Sequence, residues 1–513
     1  MMSAMSGRRP SALVAVVASL ALVTAACTGS KPAFRPSFES TLCPNDVTAV
    51  LVVPVSCGYL TVLEDRSGES GRTIRLFISK LEPAGGHPTP GPVVFLDDDI
   101  GSWPEYGGLT PHFNREVYVI DERGSGHSEP SLACPEVEQL APSLLEVSIS
   151  DPGARGDLTD AVGACRDRLS GQGIDLSAYT IHEMAADVEN LREALGIDEW
   201  NLQSWTSSAR VMLEVMKDYP EHVRVSVLVS SEFPQSDPLG EGIEATRYAV
   251  DQLASACEAQ EPCNRKFPDV GRAFSEAIAQ LNAHPVTLIE RNSLAAAEAG
   301  HPFHVYIDGG MLFRIIRAAI AFEGGASIGL LPRILYAIRD GHVPASLLTV
   351  AGSITSAPAL CVGLFWTCRE QRSDGTFFSV LCHDELPFVD RDALAASAVG
   401  NPAAQADFVA SPYFDVCKAW DVGSADPSAA QPVTSDIPTL FIAGQFDPFS
   451  SLPEIRAASS TFPNGHVIVT PWQSTNPNGS LECPRSIRTA WWDDPTSRPD
   501  TGCFKQIPPI KFT

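Results

Sequence analysis

The feature that most constrains the fold is an alternation of short apolar runs with helical patterns. The runs TIRLFIS, PVVFLDD and EVYVID are rich in β-branched residues and bounded by turn formers, which is typical of strands buried on both faces of a parallel sheet. The helical patterns MAADVENLREALGI and ARVMLEVMKDYPEHV then alternate with WNLQSW and VRVSVLVS. This order predicts a doubly wound, mostly parallel α/β sheet.

The alternation is interrupted by a long helical region. From residue 236 to residue 431 the patterns are mostly helical, as in GRAFSEAIAQLNA and MLFRIIRAAIA, and strand-like sequence resumes at IPTLFIAGQFDP and GHVIVTPW. We therefore expect one split α/β domain, residues 43–235 and 432–513, with residues 236–431 inserted as a helical cap between its sixth and seventh strands. Such an insertion would cover the crevice at the carboxyl ends of the strands, where α/β proteins bind ligands.

The first residues have the composition of an export signal. Two arginines precede an apolar run that ends in small residues, which predicts a signal over residues 1–26, followed by a linker over residues 27–42. The end of the run, T-A-A-C, resembles a bacterial lipobox with Cys27 as the lipidated residue, although simple cleavage without a lipid is the alternative. We expect a bacterial cell-envelope protein, lipid-anchored to the outer face of the membrane or secreted, that contacts membrane only through this lipid.

Cysteine usage indicates the same compartment. Apart from Cys27, the chain has twelve cysteines, and an even number is what an oxidising location favours. They show no CxxC spacing, so no zinc signature is present. Proximity in the sequence predicts the pairs Cys43–Cys57, Cys134–Cys165, Cys257–Cys263 and Cys483–Cys503. Two further bridges would join Cys361, Cys368, Cys382 and Cys417 in a connectivity that the sequence leaves open.

Net charge excludes one class of partner. The formal charge is -26, whereas binding to a phosphate backbone requires clusters of lysine and arginine. We therefore expect no nucleic-acid partner.

The stretch WNLQSWTSSARVML has the layout of a strand, a sharp turn and a helix. Many hydrolases place a nucleophilic serine at the tip of such a turn, where the backbone is strained so that the hydroxyl is exposed. Here the tip is Thr206. A β-branched residue is poorly suited to the positive φ that the tip requires, so the turn is expected to persist as a shape without its chemistry.

Several segments together resemble the secreted tripeptidyl and prolyl aminopeptidase family of α/β-hydrolases. They are DERGSGHSEPSLACPE, MAADVENLREALGI with the following WNL, YPEHV, DELPFVD, AGQFDP and DDPTSRPDTGC. The resemblance covers nearly all of the chain after the predicted signal. It implies an α/β-hydrolase fold, a Ser-His-Asp triad, an oxyanion hole near an HGG motif and a helical cap that binds a peptide N-terminus, with no cofactor and no metal.

Carried onto this chain, the family pattern meets substitutions at most catalytic positions. The nucleophile position is Thr206, and the histidine position falls at about Thr475, where no histidine exists. The acid is retained as Asp447, which could alternatively serve only as a turn or N-cap residue. Without an imidazole, a hydroxyl at the tip has no base to activate it.

The oxyanion motif is also replaced, by Asp97, Asp98 and Asp99. A carboxylate about 5 Å from a developing oxyanion would oppose it by about 3 kcal/mol at an effective dielectric near 20. That is about what one oxyanion donor supplies. The same run could instead offer oxygen ligands to Ca²⁺ or Mg²⁺, or form a solvated acidic loop.

Three hypotheses follow. The first is a non-catalytic member of the family that binds peptides or cell-envelope components. The second is an active serine hydrolase with a rearranged site built on Ser207, His383 and Asp447, which requires the first two side chains to approach within about 3 Å. The third is a cation-binding protein that uses the aspartate run.

Overall fold

The computed structural model describes residues 34–50, 53–67, 71–83, 89–96, 114–148, 150–237, 239–290, 302–321, 324–350, 373–399, 405, 411–475 and 481–513. The chain divides into two compact units, residues 1–35 and 36–513, and all elements described below belong to the second. The predicted signal and Cys27 lie outside the described residues, as do Asp97, Asp98, Asp99, Cys361 and Cys368. None of the helices in the described ranges is long and apolar enough to cross a membrane.

Eleven strands are present in the described ranges: β1 (Ser37–Thr41), β2 (Val55–Leu63), β3 (Thr73–Leu81), β4 (Val93–Leu96), β5 (Val117–Ile120), β6 (Trp200–Trp205), β7 (Val223–Val229), β8 (Val286–Glu290), β9 (Phe303–Ile307), β10 (Thr439–Gly444) and β11 (Gly465–Thr470). Nine of them form one sheet in the order β1-β2-β3-β5-β4-β6-β7-β10-β11. In this order the first three pairs, from β1 to β5, are antiparallel. The remaining five pairs of the sheet, from β5 through β4 to β11, are parallel.

The predicted doubly wound, mostly parallel sheet is therefore confirmed. All residues of β4, β5, β6 and β10 are buried. Strands β4, β5 and β10 are nearly continuously apolar, since strands covered by helices on both faces need no polar side, whereas β6 also buries Asn201, Gln203 and Ser204. Strands β4, β6 and β7 end nearly level, because Ser204 pairs with both Leu96 and Leu228. Their carboxyl ends therefore meet at one edge of the sheet.

The described helices are α1 (Asn45–Val50), α2 (Pro135–Glu138), α3 (Ala141–Leu144), α4 (Pro152–Gly171), α5 (Ile181–Leu195), α6 (Ser208–Asp218), α7 (Gly240–Glu258), α8 (Glu261–Lys266), α9 (Val270–Ala283), α10 (Gly309–Ala321), α11 (Gly324–Arg339), α12 (Ser346–Val350), α13 (Asp374–Val380), α14 (Arg391–Ala398), α15 (Tyr413–Trp420), α16 (Leu452–Ser459) and α17 (Glu482–Asp493). Helices α5, α6 and α16 pack on one face of the sheet. Helix α17 and Val47 of α1 pack on the other.

Local sequence explains the bounds of α5. Thr180 is its N-cap and accepts a hydrogen bond from the amide of Glu183, so T-I-H-E has the sequence and half of the contacts of a capping box. At the other end Gly196 adopts φ 66° and closes the helix, as glycine does without steric cost.

The cap differs from the sequence prediction in three respects. It is inserted after the seventh strand of the sheet, between β7 and β10, rather than between the sixth and seventh. The prediction missed one strand, β1, because its sequence, SFEST, is polar and its residues are largely exposed. It contains the antiparallel hairpin β8–β9 in addition to helices. Finally, apolar residues of the segment 132–179, including Val162 on α4, belong to the same hydrophobic cluster as the cap helices.

Disulfides are present both in the α/β domain and in the cap. The structure contains the four pairs that sequence proximity predicts, Cys43–Cys57, Cys134–Cys165, Cys257–Cys263 and Cys483–Cys503. It also resolves part of the open connectivity in the cap, where Cys382 is bonded to Cys417. This bond ties α15 to the turn that follows α13.

Candidate active site

The turn at the end of β6 keeps the shape of a nucleophile elbow. Thr206 has φ 44° and connects β6 directly to the helix α6, with Ser207 as the N-cap. Its amide donates to the carbonyl of Val229 at 3.0 Å, and its carbonyl accepts from the amide of Glu232 at 3.2 Å. These bonds to the end of β7 hold the strained backbone, which a β-branched residue otherwise disfavours.

The hydroxyl at the tip is poorly placed for chemistry. Thr206 is half-buried, and its Oγ1 makes no hydrogen bond to any residue in the described ranges. Among the described residues that line the cavity beside the turn, none is a histidine. A hydroxyl without an adjacent base is weakly nucleophilic at its own pKa.

The structure brings the acid and the histidine position together. Asp447 follows β10 and Thr475 follows β11, and Thr475 Oγ1 lies 3.5 Å from Asp447 Oδ1. Both side chains are buried. Among the described residues, the group that faces Asp447 from this loop is therefore a hydroxyl.

Asp447 also stabilises the turn in which it lies, through hydrogen bonds from backbone amides. Its Oδ1 accepts from the amides of Phe449 at 3.0 Å and Ser450 at 3.2 Å, so the turn interpretation and the triad position describe the same residue. Burial raises the pKa of Asp447 above its ordinary value, although the two amide bonds oppose that effect. Through these two hydrogen bonds the carboxylate stabilises the loop that follows β10.

A second residue with positive φ joins these loops. Ser230, at the end of β7, has φ 49°. Its hydroxyl donates to the carbonyl of Thr475 at 2.7 Å, and its carbonyl accepts from the hydroxyl of Ser450 at 2.8 Å. The sequence analysis did not identify this residue, because VRVSVLVSS shows no glycine to mark the turn.

The rearranged triad does not share one cavity. Ser207 lines a cavity of about 110 Å³ beside the turn. His383 lies in the π-helical turn Leu381–Glu385, where its Nδ1 is 2.8 Å from Asp384 Oδ1, and it lines a different, wider cavity of about 860 Å³. Ile181 and Arg210 belong to the walls of both cavities and stand between them.

The cavity beside the turn lies between the carboxyl ends of the strands and the cap. Its charged lining consists of five carboxylates and one guanidinium: Glu122, Glu232, Asp237, Glu385, Glu454 and Arg210. Arg210, on α6, is buried and pairs with Glu385 of the cap, with a guanidinium nitrogen 3.1 Å from a carboxylate oxygen. The remaining walls are mostly apolar and include Val211, Leu239 and Phe377. The cavity therefore suits a positively charged ligand with an apolar group.

Sequence reasoning missed these carboxylates, although a signal for two of them was present. Glu122 is the second residue after the strand run EVYVI, and Glu232 is the third residue after VRVSVLV. Residues just beyond strand ends line the crevice of an α/β sheet. In the structure Glu122 accepts a hydrogen bond from the hydroxyl of Ser208 at 3.3 Å.

The loop after β5 is built around a buried carboxyl group. Asp121 is fully buried; its Oδ2 accepts from the amide of His127 at 2.7 Å, and its Oδ1 has no hydrogen-bond partner in the described ranges. Burial raises the pKa of Asp121 to about 8, and the nearby Asp46 and Glu122 act in the same direction. Gly126, at φ 56°, packs so closely on this carboxyl that a Cβ would lie 2.3 Å from Oδ2.

Comparison with known protein families yields two matches. Residues 95–256 match a family described as alpha/beta hydrolase fold, and residues 401–503 match one described as TAP-like protein. Together the two matches cover about half of the chain. Among curated proteins, none matches this sequence.

Solved structures show distant similarity. A thermophilic esterase from Thermogutta terrifontis is 14% identical over 86% of this chain and 99% of its own, with a TM-score of 0.32. An epoxide hydrolase from Vigna radiata is 13% identical over 85% and 97%, with a TM-score of 0.34. An N-acyl homoserine lactone degrading enzyme is 14% identical over 83% and 98%, with a TM-score of 0.34.

Proposed function

The chain belongs to the α/β-hydrolases of the TAP-like family, and from that premise we propose that it is an exported member that has lost acyl-transfer catalysis and binds peptides or another cell-envelope component. The observation that carries the proposal is the contact between Thr475 and Asp447. The position from which an imidazole would reach the nucleophile is occupied by a second hydroxyl. Two hydroxyls and a carboxylate include no imidazole to take the proton from the hydroxyl at the tip of the turn.

The size of the loss follows from the chemistry of such sites. In well-studied triads, removal of one member leaves only about 10³–10⁴-fold catalysis over water, and that remainder comes from the oxyanion hole and substrate binding. Here the nucleophile and base positions are both substituted, and the sequence places Asp97, Asp98 and Asp99 at the oxyanion position. Since these groups act as one unit, restoring one of them alone would not restore the reaction.

Peptide binding is supported by the cavity beside the turn. Its five carboxylates exceed its single arginine, so a ligand with an ammonium group gains Coulomb attraction. Its apolar walls can accept the side chain next to that ammonium group. A peptide with a free amino terminus and an apolar first residue has both features.

Export and lipid anchoring form the cellular part of the proposal. The disulfides of the described chain fit an oxidising compartment. The predicted signal and Cys27 supply the route and the anchor. Metabolic labelling with a fatty-acid analogue tests the anchor: the wild-type protein should incorporate it and the Cys27→Ala protein should not.

An activity-based probe tests the loss of catalysis. Purified mature protein should not react with a fluorophosphonate, and neither should Thr206→Ser, because a serine at the tip still lacks a base. An active serine hydrolase treated in parallel controls the probe. Stoichiometric labelling of the wild-type protein would refute the proposal.

The second candidate function, an active hydrolase with a rearranged site, is distinguished by the same probe. It predicts labelling of the wild-type protein that is abolished in Ser207→Ala and in His383→Ala. The separate cavities of these two residues favour the non-catalytic proposal. We expect the three proteins to be equally unreactive.

Peptide binding is tested by calorimetry with a matched pair of ligands. A short peptide with an apolar first residue should bind, and its N-acetylated form should bind at least tenfold more weakly, because acetylation removes the positive charge. Glu232→Gln should reduce the difference between the two peptides. Equal affinity for both forms would contradict the proposed ligand.

A further inference from the structure

A second cluster of functional side chains lies on helices α5 and α6, in the wall of the wider cavity. His182 is the second residue of α5, and Glu214 and Asp218 are four residues apart on α6, so they lie on the same face of that helix. The Nδ1 atom of His182 is 3.5 Å from a carboxylate oxygen of each. One donor atom from each of the three residues falls within 4.8 Å of the others.

We propose that His182, Glu214 and Asp218 bind a divalent first-row transition metal, with Zn²⁺ as the first choice. An imidazole nitrogen with two carboxylate oxygens is a donor set that Zn²⁺ accepts, whereas Ca²⁺ and Mg²⁺ prefer oxygen ligands alone. Three protein ligands leave a fourth position for water or a ligand. The sequence analysis did not identify these residues, because His182 lies 32 positions before Glu214 and on a different helix.

The ligands are carried by rigid elements. Leu213 and Val215, on either side of Glu214, are buried in the core between α6 and the sheet. His182 is held at the start of α5 by the capping residue Thr180. Because the backbone positions are already set by packing, binding would cost little beyond ordering three side chains.

The site is accessible. The three residues line the cavity of about 860 Å³, together with Asp65 and Asp384. The His182 side chain is 67% exposed, and that of Asp218 is 28% exposed. An ion can therefore enter from solvent, and its fourth coordination position would face the cavity.

One cation already competes for this site. The Nζ of Lys217 lies 3.0 Å from both carboxylate oxygens of Glu214, and its side chain is 42% exposed, so it can withdraw into solvent. A further carboxylate near His182, that of Glu183, is paired with Arg66 and is not available as a ligand. The metal would displace Lys217 from Glu214 and leave the Arg66 pair intact.

Protons compete for the same atoms. The hydrogen bond with Glu214, followed by the charges of Asp218 and Glu183, raises the pKa of His182, while burial opposes this. Burial and the charge of Glu214 raise the pKa of Asp218, against Lys217 and His182. A metal ligand must be deprotonated, so protons and the ion compete for the same three side chains.

The test uses the mature, untagged, chelator-treated protein. Calorimetric titration with ZnCl₂ at pH 8 should show one ion bound per chain, and Co²⁺ should produce visible d–d absorption bands. His182→Ala, Glu214→Gln and Asp218→Asn should each weaken binding at least tenfold, about 1.4 kcal/mol. His304→Ala is the matched control: His304 is also exposed, with its Nδ1 3.9 Å from a carboxylate oxygen of Glu146, and its loss should change nothing.

A second variant keeps the proposal testable even if a ligand substitution disturbs folding. Lys217→Met removes the competing cation and should strengthen Zn²⁺ binding several-fold while leaving the ligands in place. No binding by wild-type protein at submillimolar Zn²⁺ would overturn the proposal. Equal affinity of the wild-type and His182→Ala proteins, or equal weakening by His304→Ala, would overturn it as well.

Discussion

The buried carboxyl group of Asp121 predicts an unusual dependence of stability on pH. In an unfolded chain an aspartate titrates near pH 3.9, whereas burial raises the pKa of Asp121 to about 8 in the folded protein. Between these values the folded chain retains a proton that the unfolded chain has lost. The free energy of unfolding must therefore decrease as the pH rises through this window.

The magnitude follows from the width of the window. Each pH unit within it changes the free energy of unfolding by up to about 1.4 kcal/mol, so the interval from pH 5 to pH 7 contributes up to about 2.7 kcal/mol. Asp121→Asn should abolish this contribution, because an amide does not titrate. Its carbonyl oxygen can still accept the hydrogen bond from the amide of His127, which lies 2.7 Å from Oδ2 in the wild-type protein.

The assay is urea unfolding of wild-type and Asp121→Asn proteins, with disulfides intact, at pH 5, 6 and 7. The difference between the two proteins isolates Asp121, since all other titrating groups are common to both. Asp167→Asn is the matched control, because that side chain is 76% exposed. Parallel pH profiles for wild-type and Asp121→Asn proteins would refute the argument that burial keeps this carboxyl protonated.

Two further predictions concern the disulfides and the turn. The disulfide Cys382–Cys417 closes a loop of 35 residues, and Cys257–Cys263 closes one of 6. Replacing both cysteines of a pair by serine should lower the free energy of unfolding by about 3–4 kcal/mol for the first pair and about 2 kcal/mol for the second. Equal losses, measured by calorimetry, would contradict the loop-length argument. Thr206→Asn should raise the free energy of unfolding by about 1 kcal/mol, because asparagine tolerates φ 44° better than threonine; a lower melting temperature would show that the turn is not strained.

Much of the fold is encoded in local sequence. Strands such as β4 and β10 are apolar along nearly their whole length because helices cover both faces, and this pattern is visible without a structure. Helix α5 likewise carries its own start and stop signals in Thr180 and Gly196. Strand β1 was beyond such reasoning, because its residues are mostly exposed and it is defined by pairing with β2.

The candidate site divides in the same way. The absence of a histidine at Thr475 and of a serine at Thr206 can be read directly from the sequence, since a side chain's chemistry belongs to the residue itself. Three other features depend on distances between separate elements. Thr475 contacts Asp447, and Ser207 and His383 line different cavities. His182 approaches two carboxylates of α6. Only tertiary packing determines those distances, because the periodicity of a strand or helix specifies which face is apolar but not which distant residue it will contact.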